Sequence, residues 1–290
     1  TLKTGGAAIT LGNAGNDVTT LDLRSRNAAD TADEAGALSY TDATALDLAA
    51  LRTTSTVSIT SGGALTQSGA LTVGGTSSFT AGANAITLGN AGNALTGAVT
   101  LSNSGTNDVS LTNTLATSFS GTVGRNLTVS SGGALSQSGA LTVGGTSSFT
   151  AGANAITLTN AGNALTGAVT LSNSGTNDVS LTNTLATSLN GTVGRNLTVS
   201  SGGALTQSGA LTVGGTSSFT AGANAITLGN AGNALTGAVT LSNSGTNDAS
   251  LTNTLATSLS GTVGRDLTVS SGGTLGFGAT TVGRTLTATA

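Results

Sequence analysis

The chain alternates apolar and hydroxyl-bearing residues in very short bursts: Leu71-Thr72-Val73, Ile86-Thr87-Leu88, Val99-Thr100-Leu101, Val109-Ser110-Leu111 and Leu127-Thr128-Val129. Strict alternation sends successive side chains to opposite faces of an extended backbone, so each burst predicts a β-strand with one buried face. Between the bursts stand "VGGTSS", "GNAGN" and "SNSGTND", whose Gly and Asn residues turn a chain at little conformational cost. No window carries the apolar spacing of a long amphipathic helix.

The bursts recur with a period of 70 residues: Ser61, Ser131 and Ser201 each begin "SGGAL", and Ser271 begins "SGGTL". Copies 61–130 and 131–200 differ only at Thr66/Ser136, Gly89/Thr159, Phe119/Leu189 and Ser120/Asn190. The organisation expected is one continuous array: a degenerate copy over 1–60, full copies at 61–130, 131–200 and 201–270, and a partial copy at 271–290. The charged stretch "RSRNAADTADEAG", 24–36, is the expected place of an insertion in the degenerate copy.

A strand of three to five residues followed by a corner cannot bury its own apolar face, whereas stacked coils of such strands can. The fold predicted is therefore all-β, a right-handed parallel β-helix (β-solenoid). Anchor positions at Leu135, Leu141, Phe149, Ile156, Leu165, Leu171, Val179, Leu185 and Leu197 suggest coils of about 23 residues, three to a repeat. Leu, Val, Ile, Ala and Phe are expected inside, Thr and Ser outside, Asn and Gly at the corners. Phe79, Phe149 and Phe219 are expected to form a core ladder.

Composition agrees with that geometry. The 290 residues contain no Pro, which would remove a strand N–H, and only 7% are charged, as columns of like residues one coil apart would require. Hydrophobic residues reach 37%, which sets the chain apart from disordered Gly/Ser-rich sequences. No apolar run is long enough to span a membrane as a helix, and a net charge of −3 speaks against nucleic acid as a partner. The chain starts at Thr1 without a basic and apolar leader, so it is expected to be an internal or processed segment.

Candidate chemistry is sparse. With no His or Cys there is neither a catalytic relay nor the usual zinc site, and each full copy holds essentially one acid, so no enzyme activity and no cofactor are expected. Asp108, Asp178 and Asp248, and Arg125, Arg195 and Arg265, form two series at the repeat spacing, expected along one edge as surface ladders. Exposed ion pairs are the plainer reading of them, a ligand stripe the sharper one. The sequons at Asn126, Asn190 and Asn196 are read as products of composition, and nothing is read into Tyr40. Ice binding is disfavoured because each triplet sets a single Thr between two buried residues; "TLTATA", 285–290, comes nearest to a threonine array.

The succession "LTVSSGGALTQSGALTVGGTSSFTAGANAITL", "NALTGAVTLSNSGTNDVSLTNT" and "NLTVSSGGAL" resembles the repeat region of filamentous-haemagglutinin-like bacterial exoproteins, the adhesins of two-partner-secretion or autotransporter type. The resemblance runs through essentially the whole chain, most clearly 55–290. It implies a right-handed parallel β-helix, export to the bacterial cell surface or medium, and work as a stalk or adhesive fibre. Implied partners are like chains, joined end to end or laterally, or a host or matrix glycan or protein. It supplies no catalytic residue and no discrete receptor motif.

Overall fold

The computed structural model describes residues 1–290 and divides into two compact units, Thr1–Gly144 and Gly145–Ala290. Each unit is a parallel β-solenoid without a helix, in which every coil contributes one strand to each of two parallel sheets. In unit 1, one sheet passes in register from Leu46 to Leu65, Ile86, Val109 and Leu127. The other passes from Ile9 to Leu38, Val57, Ser77, Val99 and Phe119. In unit 2, Ile156, Val179, Leu197, Ser217, Val239 and Leu259 follow one another in one sheet, and Leu205, Ile226, Ala249, Leu267 and Leu286 in the other.

Alternation produces the burial expected of it. Leu71, Val73, Phe79, Ile86, Leu88, Val99 and Leu101 are all at most 1% exposed, while Thr87 and Thr100 between them face outward. Apolar side chains stack over apolar side chains of the next coil, so the core is a set of columns rather than a central cluster. Leu185 departs from expectation: it is 40% exposed, as are its counterparts Leu115 (40%) and Leu255 (39%). Each sits in the corner before a strand whose first residue, Thr187 in the case of Leu185, takes the inward place. The Thr187 hydroxyl is satisfied there by Asn183 and Ser201.

The repeat consists of three coils and a further half. From Leu65 the chain returns to the same sheet at Ile86, Val109 and Leu127, then crosses to the other sheet before Leu135, the counterpart of Leu65 in the next copy. Coil length varies along this path. The step Ile86↔Val109 matches the expected length of about 23 residues, whereas Val109↔Leu127 is the short coil that follows it. Counting 65–73 and 86–95 as one bent strand each, a repeat carries seven strands, an odd number on a coil of two. Equivalent residues of successive copies therefore alternate between sheets. The coil that holds the charged stretch is longer than its neighbours, Ile9 pairing with Leu38 and Leu23 with Leu51.

The long strands bend where the register slips. Leu189 faces Gln207 but Gly191 faces Leu211, so three residues of the neighbouring strand bulge between them. A slip one residue smaller occurs at Leu259/Gly261, which face Phe277 and Thr280; glycine is required there twice over: φ is +128°, and a Cβ would lie 1.9 Å from the Leu241 carbonyl oxygen.

Candidate interaction surfaces

The two charged series are one set of clasps. Asp108 stands before the strand Val109–Asn113 and Arg125 before the strand one coil on, Leu127–Ser131. The short coil brings them together: Arg125 Nε donates to Asp108 Oδ1 at 2.6 Å, its Nη2 donates to Oδ2, and the backbone N–H of Asn126 donates to Oδ1 at 3.1 Å. Arg195 with Asp178 and Arg265 with Asp248 repeat the arrangement, each with an Nε–Oδ1 distance of 2.6 Å. The guanidinium, and secondarily the backbone N–H, holds each Asp carboxyl below the usual carboxylate range.

Their placement on one edge is corrected by the half-coil. Asp178 precedes a strand of one sheet of unit 2 and Asp248 precedes a strand of the other, so neither series forms a continuous stripe there. The phenylalanines follow the same rule. Phe79, Phe149 and Phe219 are fully buried, but Phe149 pairs with Leu171 in one sheet and Phe219 with Val199 and Leu241 in the other. Phe79 has Ile59 and Leu101 as register neighbours, so these rings are core plugs and do not form a ladder of their own.

The last clasp is extended. Asp266 occupies the place held by Asn126 and Asn196 in the other copies, and its backbone N–H donates to Asp248 Oδ1 at 3.1 Å. Two carboxylates one coil apart would repel, and two arginines offset this: Arg265 binds Asp248 and reaches Asp266 at 3.9 Å, while Arg284 grips Asp266. Arg284, the strongest influence on it, lowers the Asp266 carboxyl to about 2.

The charged stretch of unit 1 folds on itself around Arg26, which is 8% exposed. Its guanidinium donates to Asp30 Oδ1 and Asp33 Oδ1, both at 2.5 Å, and to the Asp30 carbonyl at 2.6 Å, while Arg52 of the next coil also reaches Asp33. Nearby, buried Tyr40 donates its hydroxyl to Asp42 Oδ2 at 2.8 Å; burial first, and then the carboxylate, push the phenol up to about 12. No three acidic side chains converge so as to hold a metal ion.

Buried asparagines are the polar residues that sequence reasoning missed. Asn113 is 1% exposed; its Oδ1 accepts the N–H of Leu95 at 2.9 Å and its Nδ2 donates to the Leu95 carbonyl at 3.0 Å, one coil away. Asn93 accepts from Leu71 N and donates to the carbonyls of Leu88 and Thr112, and Asn103 receives the N–H of Gly124. Asn183, Asn253, Asn233, Asn173 and Asn243 stand in the equivalent buried places. They satisfy backbone groups that a corner would otherwise leave unpaired. Their type marks a turn; only their recurrence at the ends of alternating strands hinted at a buried role.

Outward Ser and Thr stand in columns as expected, and the columns run in pairs as double files. In unit 2, one file is Ser180, Thr198, Ser218, Thr240 and Ser260, and beside it run Thr182, Ser200, Thr220, Ser242 and Thr262. Every coil thus presents one Ser and one Thr, and their order reverses at each step. In unit 1, Ser39/Thr41, Ser58/Thr60, Ser78/Thr80, Thr100/Ser102 and Ser120/Thr122 make a similar double file. Spacing is about 4.8 Å from coil to coil and about 6.6 Å between files. Thr240 and Ser260 hydroxyls are hydrogen-bonded at 3.1 Å. Beside the unit 2 files lies an open groove of about 350 Å³, whose lining includes Gly237, Ala238, Ser258 and Gly276.

Three stretches, 35–102, 106–172 and 176–242, match the profile of a family described as repeats of unknown function (DUF5649). No curated protein and no solved structure matches the chain.

Proposed function

We propose, from the premise that the chain belongs to the DUF5649 family of repeats of unknown function, that it is a non-catalytic structural segment of a secreted bacterial surface adhesin or extracellular filament. It acts as a rigid spacer and as a surface for assembly with like chains. The observation that carries this reading is the use of side chains: the apolar residues are spent on columns within the coil stack, and the buried polar residues on corners. What faces outward is mainly hydroxyls, amides and charges clasped in pairs, arranged by a unit that can be copied without altering its neighbours. Copy number then sets length, and three and a half coils per repeat correspond to about 17 Å at the spacing of parallel strands. The resemblance to filamentous-haemagglutinin-like exoproteins supports export and placement at the cell surface.

Two measurements test it. Variants with one to four copies, imaged by negative-stain electron microscopy, are expected to lengthen by about 17 Å per copy; a dimension that does not grow with copy number overturns the spacer role. Antibody labelling of intact bacteria producing the parent protein is expected to be positive without permeabilisation, and labelling confined to permeabilised cells overturns the surface assignment.

A further inference from the structure

Of the chain's asparagines, Asn190 alone is followed by glycine. The fold imposes that glycine: Gly191 has a φ of +144°, and a Cβ there would lie 2.0 Å from the Leu171 carbonyl oxygen. The two residues stand where the register slips, Leu189 facing Gln207 and Gly191 facing Leu211, so Asn190 lies against the three-residue bulge 208–210. The copies on either side carry Ser120 and Ser260 at this place, before Gly121 and Gly261. Copy 131–200 thus brings a side-chain amide to a bend where the others have a hydroxyl.

That amide is held only from the outside. Asn190 is half-buried, and its Nδ2 donates to the hydroxyl of the exposed Ser208 at 2.7 Å. The three asparagines followed by serine are placed differently: Asn103, Asn173 and Asn243 are at most 4% exposed, and their Nδ2 atoms are held by backbone carbonyls, those of Asn84 and Asn107 in the case of Asn103. An asparagine Cγ and the next backbone nitrogen can close a five-membered ring, and attack within one chain gains from proximity. A Cβ on the following residue crowds that approach, whereas glycine leaves it open.

We propose that Asn190 is a self-modifying site, at which the chain loses a side-chain amide without an enzyme. The backbone nitrogen of Gly191 gives up its proton to solvent base and bonds to Asn190 Cγ; the Cγ–Nδ2 bond breaks, and Nδ2 leaves as ammonia with a proton from water. Water then adds to either carbonyl of the succinimide ring, which opens to aspartate or isoaspartate, so the net change is one water taken up and one ammonia released. Either product sets a carboxylate beside the neutral Thr170 and Ser208. Isoaspartate also adds a backbone atom to a strand, Thr187–Val193, that is paired on both sides. Copy 131–200 is therefore the copy that changes with time at this bend, a property independent of the spacer role.

The test incubates the full 290-residue chain in mildly alkaline and in mildly acidic buffer and follows each asparagine by peptide mass spectrometry, which separates aspartyl from isoaspartyl products. Asn190 is expected to convert about tenfold or more faster than Asn196, to do so faster in the alkaline buffer, and to give both products. Asn190→Ser, which installs the residue found at 120 and 260, is expected to remove the signal, and Ser120→Asn to create a second one beside Gly121 at a similar rate. Circular dichroism verifies that each variant keeps its strands. An Asn190 that keeps its amide, or converts no faster than Asn196, overturns the inference. So does conversion seen only in chains unfolded by urea, since the fold would then protect the site, and a stable amide in Ser120→Asn overturns its assignment to the bend.

Discussion

Leu65 and Leu135 hold the same place in successive 70-residue copies, yet they lie in opposite sheets of unit 1, Leu65 paired with Leu46 and Ile86, Leu135 with Thr117. Leu205 and Leu275 are divided in the same way in unit 2. A repeat of seven strands on a two-strand coil produces this alternation, so each element of the repeat is presented on both sheets in turn. Register partners nonetheless repeat with the copy, Thr117 facing Leu135 as Thr187 faces Leu205, and Ile86 facing Val109 as Ile156 faces Val179, so a prediction framed on one register pair carries over to its equivalents.

Glycines of the same repeat differ in what they tolerate. Gly261→Ala would put a methyl carbon 1.9 Å from the Leu241 carbonyl oxygen at a φ of +128° and is expected to cost about 3 kcal/mol or more. Gly222→Ala, at φ +50° with no atom within 4 Å of the new carbon, is expected to cost about 1 kcal/mol. Urea unfolding followed by circular dichroism separates the two, and equal losses would contradict the bulge geometry.

Removing a buried amide should be costly, and removing an unpartnered hydroxyl should not. Asn113→Ala leaves the N–H and carbonyl of Leu95 without their side-chain partner and is expected to cost about 2–4 kcal/mol. Ser77 Oγ is buried and has no hydrogen-bond partner, so Ser77→Ala is expected to be neutral or stabilising. The difference in urea midpoint between these single variants is the measurement, and a larger loss for Ser77→Ala would refute the assignment.

The clasps predict acid sensitivity of a definite sign. Each Asp pKa is lower folded than unfolded, so the stabilisation is complete above the unfolded value of about 3.9 and is lost as pH falls through the folded one. For Asp266 the window runs from about 3.9 down to about 2. Thermal midpoints measured from pH 6 to pH 2 should fall below about pH 4, and the fall should be smaller in a variant with Asp108, Asp178, Asp248 and Asp266 all changed to Asn. At pH 7 the single exchange Arg125→Gln should scarcely move the midpoint, since both partners of the pair are well exposed.

Tyr40 predicts the opposite edge of the pH range. Its phenol is pushed up to about 12 in the folded chain, above an unfolded value of about 10, so its contribution is intact below pH 10 and lost as pH rises through 12. As the one tyrosine of the chain it can be titrated directly by its ultraviolet absorbance. A midpoint near 10 in the folded protein would contradict both the burial of the phenol and its hydrogen bond to Asp42.

Much of the architecture was legible before any coordinates. Alternation in bursts such as Ile86-Thr87-Leu88 specifies strands and their buried faces, because side-chain direction along an extended backbone is a local property. Gly and Asn at corners, the absence of Pro, and the recurrence every 70 residues lead to stacked parallel coils by the need to bury faces that no short strand can bury alone. Leu185 was misread because a lone apolar residue in a corner carries no alternation to orient it. The buried role of Asn113 was hidden because its partners, Leu95 N and O, lie one coil away.

What only the tertiary structure decided is register. Whether Asp178 and Asp248 share an edge, whether Phe149 and Phe219 stack, and whether Ser180 continues into Thr198 all depend on the summed lengths of every coil between them. A change of one strand in that sum transfers a residue to the opposite sheet, and no local pattern records the parity. The sequence by itself therefore determined that this chain is a parallel β-solenoid with an apolar interior and a sparsely charged, hydroxyl-rich exterior. The stacking of coils decided which hydroxyls and which charges meet, because contacts between coils are set by chain length and not by nearness along the chain.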